Sequence, residues 1–287
     1  MGKVNIGLKQ AQRLAQLSPK ARLAFLAEGL PLIRDSAFGF WSAAQALKDN
    51  PREREVMEGF AEEEAAKGLI LVDIVRCPPS LLKDRMGPML GWFYNHLARL
   101  IYAKAASWRP VNTKQLQDYL DDSRKAHDLE GYAGEYIVPN WEEYRRESQL
   151  YVDIAAFESG DPVWSAPVVH DGLSFGDYTP AALQVVDALH HLGLTTEAGL
   201  KVTSEVWGTV TFSENEDFRD VERLIQQLVE RAVAEKLPLE TAENEHVQTL
   251  YRFWQIPMYL LDLRKIDIPL DALRERQEAM LWAEAGY

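Results

Sequence analysis

The chain has 287 residues, 47% of them hydrophobic and 26% charged, and a formal net charge of −13. That balance belongs to an ordinary folded protein and excludes a disordered or collagen-like chain, while a single cysteine, Cys77, excludes a disulfide framework or a multi-thiolate zinc site. The acidic excess also opposes sequence-independent binding to duplex DNA, which draws its affinity from Lys and Arg on phosphates.

At the start of the chain, MGKVNIGLKQAQRLAQL has no apolar core of signal-peptide length, and no later apolar run approaches the ~20 residues that span a bilayer. The expectation is a cytoplasmic protein with no membrane partner. From Ser18, SPKARLAFLAEGLPLIRDSAFGFWSAAQAL has a capping serine, a proline at the first helical position and apolar residues at helical spacing, with Pro31 as a point of bending. Asn50-Pro51 repeats the signal and opens a second helix to Arg76, where Cys77-Pro78-Pro79 stops it. A third helix is expected from Ser80 without interruption to Trp108, and a fourth from a Thr113 cap through KQLQDYLDDSRKAHDLEGY. Four long helices with short links predict an antiparallel bundle.

Asn140, with Glu143 three residues on, has the form of a capping box and predicts a short helix over NWEEYRRESQ. The following LYVDIAAFESGDPVWSAPVVHDGLSFGDYTP mixes β-branched and aromatic residues with Gly, Asp and Pro, which suits an extended segment or short hairpin. Helical patterns return at Pro180 to His191, Glu214 to Lys236, Glu240 to Leu263 and Leu270 to Glu284. The fold class expected is mainly α: a bundle over 18–170, closing with the extended segment, then a helical region over 171–287 of unassigned role.

Two stripes single out candidate site residues. On the second helix Val56, Phe60, Glu63, Lys67, Ile70 and Ile74 share one face, so Glu63 and Lys67 interrupt an apolar stripe at the i,i+4 spacing that favours their pairing, with Glu64 one step round. On the third, Met89, Phe93, His96, Leu100 and Ala103 place His96 in mid-stripe, with Arg99 on the neighbouring row. Neighbouring helices that both interrupt their apolar faces predict a shared polar pocket. The alternative for each residue is plain: a charged pair at a solvated rim, a satisfied core histidine.

The stretches FAEEEAAKGLILVD (Phe60 to Asp73), FYNHLARLIYA (Phe93 to Ala103) and RRESQLYVDIAAFESGDPVWSAP, in that order, resemble the AbiV-type abortive infection family, a branch of the helical HEPN superfamily active in bacterial defence against phage. The resemblance spans roughly Ala21 to Pro167 and matches Glu63, Glu64, Lys67, His96, Arg99, Tyr151 and Asp153 to the family's motifs. It implies a HEPN-like bundle, a toxin-like effector acting on RNA or translation, and the option of a homodimer. Many HEPN proteins are metal-independent ribonucleases marked by an arginine four to six residues before a histidine; no histidine here has that arginine.

The same residue types still permit RNA chemistry, with His96 as acid or base and Lys67, Arg99 or Arg146 on a phosphate. The competing expectation is a buried polar network of Glu63, Lys67, His96, Arg99, Tyr151 and Asp153 that fixes the bundle and presents a surface to a phage or host protein. A di-metal carboxylate site needs Glu-x-x-His on two helices, and the chain does not supply two. No Walker loop or dinucleotide glycine fingerprint occurs either, so no metal and no cofactor is expected.

Overall fold

A computed structural model describes residues 9, 12–132, 134–155, 161–169, 178–213 and 216–284. The expectations for residues 1–8, for 156–160 and 170–177 within the extended segment, and for a helix start at Glu214 lie outside the described residues. The protein is mainly helical, as its periodicity predicts. After a short 3₁₀ turn, α1 (Pro19–Ala46) and α2 (Pro51–Arg76) pack along their length, joined by a four-residue link. Ser18 Oγ accepts a hydrogen bond from the Ala21 N–H at 3.3 Å, so the predicted cap closes α1. Pro31 sits within α1.

From Ala61 onward α2 is buried almost all round, with Ala65, Ala66, Ile70 and Asp73 fully enclosed. A helix covered on every side is a central helix rather than the edge of a layer. The remaining elements cluster around it. The expected third helix is in fact two, α3 (Pro79–Tyr94) and α4 (His96–Ala106), broken at Asn95. Asn95 has extended backbone, φ −101° and ψ 122°, and its side chain caps α4 by accepting from the Ala98 N–H at 2.9 Å. Asn is a strong N-cap and a poor interior residue, so it ends one helix by starting another. Asn95→Ala is expected to cost about 1 kcal/mol in a urea melt; no loss would mean that packing alone sets this break.

α5 (Thr113–Arg124) is capped by Asn112, not Thr113, and is shorter than expected: the chain turns into a hairpin of β1 (His127–Glu130) and β2 (Tyr136–Pro139). The helix stops because its last carbonyls find other donors. Asn140 Nδ2 donates to the Ser123 and Lys125 carbonyls at 2.8 and 2.7 Å, and the Ile266 N–H donates to Arg124 O at 2.8 Å. Asn140 also caps α6 (Trp141–Leu150), accepting from the Glu143 N–H at 3.0 Å. The extended segment forms a second hairpin, β3 (Asp153–Ala155) with β4 (Val163–Ser165).

Beyond residue 180 come α7 (Ala181–His191), α8 (Glu197–Trp207), α9 (Phe218–Ala234), α10 (Asn244–Phe253) and α11 (Leu270–Glu284). The sequence reading omitted α8 and carried α10 too far, to Leu263. Gln255 and Pro257 explain the early stop: Pro257 has no N–H, the Ile256 N–H goes to Gln255 Oε1 at 2.7 Å, and the Met258 N–H donates to Asp73 Oδ2 at 2.9 Å. The hydrophobic core runs unbroken across residue 170, joining Leu26, Ile70, Met89 and Ile101 to Leu183, Leu228 and Trp254. Regions 18–170 and 171–287 therefore share one interior.

Candidate functional site

The break at Asn95 changes where His96 stands. It is the first residue of α4 rather than the middle of a stripe, and its side chain is 56% exposed. Glu63, by contrast, is buried on α2, its side chain 5% exposed. Its two oxygens are divided between three groups. Oε1 accepts from Arg146 Nε on α6 at 2.7 Å; Oε2 lies 2.8 Å from His96 Nδ1 and 3.0 Å from an Arg99 terminal nitrogen on α4. One carboxylate thus ties three helices together.

The same Arg99 nitrogen lies 2.6 Å from His96 Nδ1. Nδ1 cannot both donate to Glu63 and accept from Arg99. With Glu63 ionised, a protonated Nδ1 donates to Oε2 and Arg99 donates to that same oxygen, which leaves the other ring nitrogen, Nε2, as the acceptor. Burial pulls the Arg99 guanidinium below its ordinary pKa, and Glu63 and Glu64 oppose that by favouring the charge. Arg99 Nε is buried and has no hydrogen-bond partner among the described residues, a cost set against the pairing of its other arm.

Lys67 does not pair with Glu63 as its spacing suggested. The pull of Arg146, His96 and Arg99 turns Glu63 away, and Lys67 bonds Glu64 instead, its ammonium 5.4 Å from the centroid of the Phe93 ring. Glu64 remains the link between this pair and the cluster through its charge interaction with Arg99. Tyr151 and Asp153 do not converge here. Both are exposed; Tyr151 ends α6, and Asp153 Oδ1 accepts from the Ile154 N–H at 2.7 Å. Among the described residues neither side chain bonds to a member of the Glu63 cluster.

Beside Glu63 and Arg146 opens a cleft of about 350 Å³ between the first half of α2, α4 and α6. Glu55, Glu58, Glu62, Glu63 and Glu142 line it, against Lys104, Arg145 and Arg146. Glu55 accepts from Gln149 Nε2 at 2.7 Å, and Lys104 donates to Glu142 at 2.5 Å. The cleft is therefore acidic in balance. His96 and Arg99 are not among its lining residues.

A second polar cluster escaped the sequence reading. Asp73 and Arg76, at the end of α2, are 0% and 1% exposed. Arg76 donates to Asp73 Oδ1 at 2.7 Å through Nε and to the Gln255 carbonyl at 2.9 Å, and its guanidinium lies 4.7 and 4.6 Å from the ring centroids of Trp207 and Trp254. Tyr102 donates to Asp73 Oδ2, which also receives the Met258 N–H. Burial and the Asp73 charge push the Tyr102 hydroxyl well above its ordinary pKa, so it stays a donor. Nothing in this cluster reaches solvent. Next to it, the Cys77 thiol is buried and pushed up to about 12, chiefly by desolvation, which disfavours the thiolate.

The fold and this site define a mainly helical protein with one half-exposed histidine held on a buried, arginine-bracketed carboxylate. No family model, no curated protein and no solved structure matches the chain.

Proposed function

We propose that the protein is an abortive-infection effector of the AbiV type, with a HEPN-like bundle, acting on RNA or on translation at the His96 face. A single observation carries the reading: His96 is half exposed while its Nδ1 is anchored on the buried Glu63 carboxylate at 2.8 Å. A carboxylate on one ring nitrogen fixes tautomer and orientation and leaves the other nitrogen to exchange protons with a substrate. In that role His96 takes or gives the proton at a phosphodiester, and Glu63 is a positioning residue. Lys67, one turn after Glu63 on α2 and 20% exposed, supplies positive charge for a phosphate when it exchanges its bond to Glu64 for the ligand.

A specific observation also favours the second reading, a non-catalytic helical protein that binds a phage or host protein. The cleft carries more carboxylates than cations, and Arg99 and Arg146 are both engaged on Glu63. Such a surface suits a basic protein better than a polyanion.

Phage plaque assays on cells expressing wild type and His96→Ala, with melting curves and RNA-cleavage assays on the purified proteins, test the choice. The expected outcome is loss of protection, RNA cleavage reduced 10²–10⁴-fold as for a removed acid-base group, and a melting temperature within about 2 °C of wild type. Cleavage should persist in chelator. Full protection by His96→Ala, or protection by wild type without any effect on RNA or translation, would overturn the RNA reading in favour of the protein partner.

A further inference from the structure

A third cluster lies away from both sites, on α7 and α10. Asp187 and His191 stand one turn apart on α7, and His246 on α10 faces them, so that one donor atom from each lies within 4.8 Å of the others. All three side chains are part-buried. The histidine rings stack, their centroids 4.5 Å apart and their planes at 21°. Two imidazoles and a carboxylate at one point match the donor preference of zinc and its first-row neighbours.

We infer that Asp187, His191 and His246 form a binding site for a divalent transition-metal ion of the zinc class, clamping α7 to α10 and leaving a fourth position for water. The hydrogen bonds around the cluster support this assignment. His191 Nδ1 lies 2.7 Å from Thr241 Oγ1, and His191 Nε2 points toward Asp187 Oδ1 at 3.5 Å. A Nδ1–H donated to Thr241 leaves the Nε2 lone pair for the metal, the outer-shell arrangement that orients ligating histidines. Arg34 donates twice to Asp187, at 2.9 and 2.6 Å, and both bonds fall on Oδ1; Oδ2 has no partner among the described residues.

Three features oppose the ion, and the last gives the site a testable property. His246 Nδ1 accepts from the Glu243 N–H at 2.9 Å, so the ring must turn and release that bond before it can ligate. A shared metal also draws two donor nitrogens to about 3.3 Å apart in tetrahedral geometry, closer than the 4.8 Å limit seen here. Arg34 competes for Asp187 as a cation. It has a second carboxylate within reach, since its other arm lies 3.1 Å from Asp35 Oδ1, and it can retreat there when the ion arrives. Arg34 is thus a regulator of the site with the opposite sign to its ligands.

The test is calorimetric titration of purified, metal-stripped protein with Zn²⁺, and with Co²⁺ followed by its visible absorption. The expected result is one equivalent bound at pH 7.5. His191→Asn and His246→Gln should each weaken binding at least tenfold, whereas Arg34→Gln should tighten it several-fold. A folding defect cannot tighten binding, so Arg34→Gln keeps the test decisive even where a ligand variant is poorly folded. Absence of binding, binding that survives both histidine changes, or unchanged affinity in Arg34→Gln would each overturn the assignment.

Discussion

Asp73→Ala should lower the free energy of unfolding by about 3–5 kcal/mol and the melting temperature by on the order of 10 °C. Asp73 is wholly enclosed and answers three donors: Arg76, Tyr102 and the Met258 N–H. Removing it leaves the Arg76 guanidinium, 1% exposed, with only the Gln255 carbonyl and two indole faces. A buried charge without its counter-charge is among the costliest single changes, because water cannot return to solvate it. The damage should also be directional. Asp73 and Arg76 hold the non-helical run Trp254 to Met258 against α2, so amide hydrogen exchange there should accelerate before exchange in α1 does. Asp73→Asn keeps an acceptor for Met258 and should cost less than Asp73→Ala. An alanine variant within about 1 kcal/mol of wild type would mean that the core, not this network, fixes the C-terminal region.

That network also marks the limit of what could be read from residues in order. Asp73 and Arg76 are visible as an i,i+3 pair of ordinary charges at a helix end. What makes them matter is enclosure by Tyr102, Trp207, Trp254 and Met258, between 26 and 185 positions away from them in the chain, and no local pattern encodes that. Helix caps, by contrast, are local chemistry. Ser18, Asn140 and the proline stop after Arg76 were legible because each acts on neighbours within three or four residues. Asn95 is local too, yet the apolar spacing of Met89 to Ala103 runs through it, and periodicity does not register a break that keeps phase. Glu63, His96, Arg99 and Arg146 were all legible as candidates, while the partner of Lys67 was not, because that choice depends on cations arriving from α4 and α6.

The contrast between Glu63 and His96 gives the sharpest separation of support from chemistry. Glu63→Ala leaves Arg99 and Arg146 facing each other without the carboxylate that both bond, and Arg99 already holds one unpartnered buried N–H. The expected loss is again about 3–5 kcal/mol, seen as an early melt. His96→Ala removes a half-exposed ring from the rim of the same cluster and leaves Glu63 bonded to both arginines, so stability should change by less than about 1 kcal/mol. Glu63→Gln falls between them: its amide oxygen still accepts from Arg146, while the charge that orients His96 is gone. If His96 works on substrate, Glu63→Gln should fold and yet lose protection against phage along with His96→Ala. Full protection by a folded Glu63→Gln would reduce the carboxylate to a bundle fastening, and His96 to a bystander at its edge.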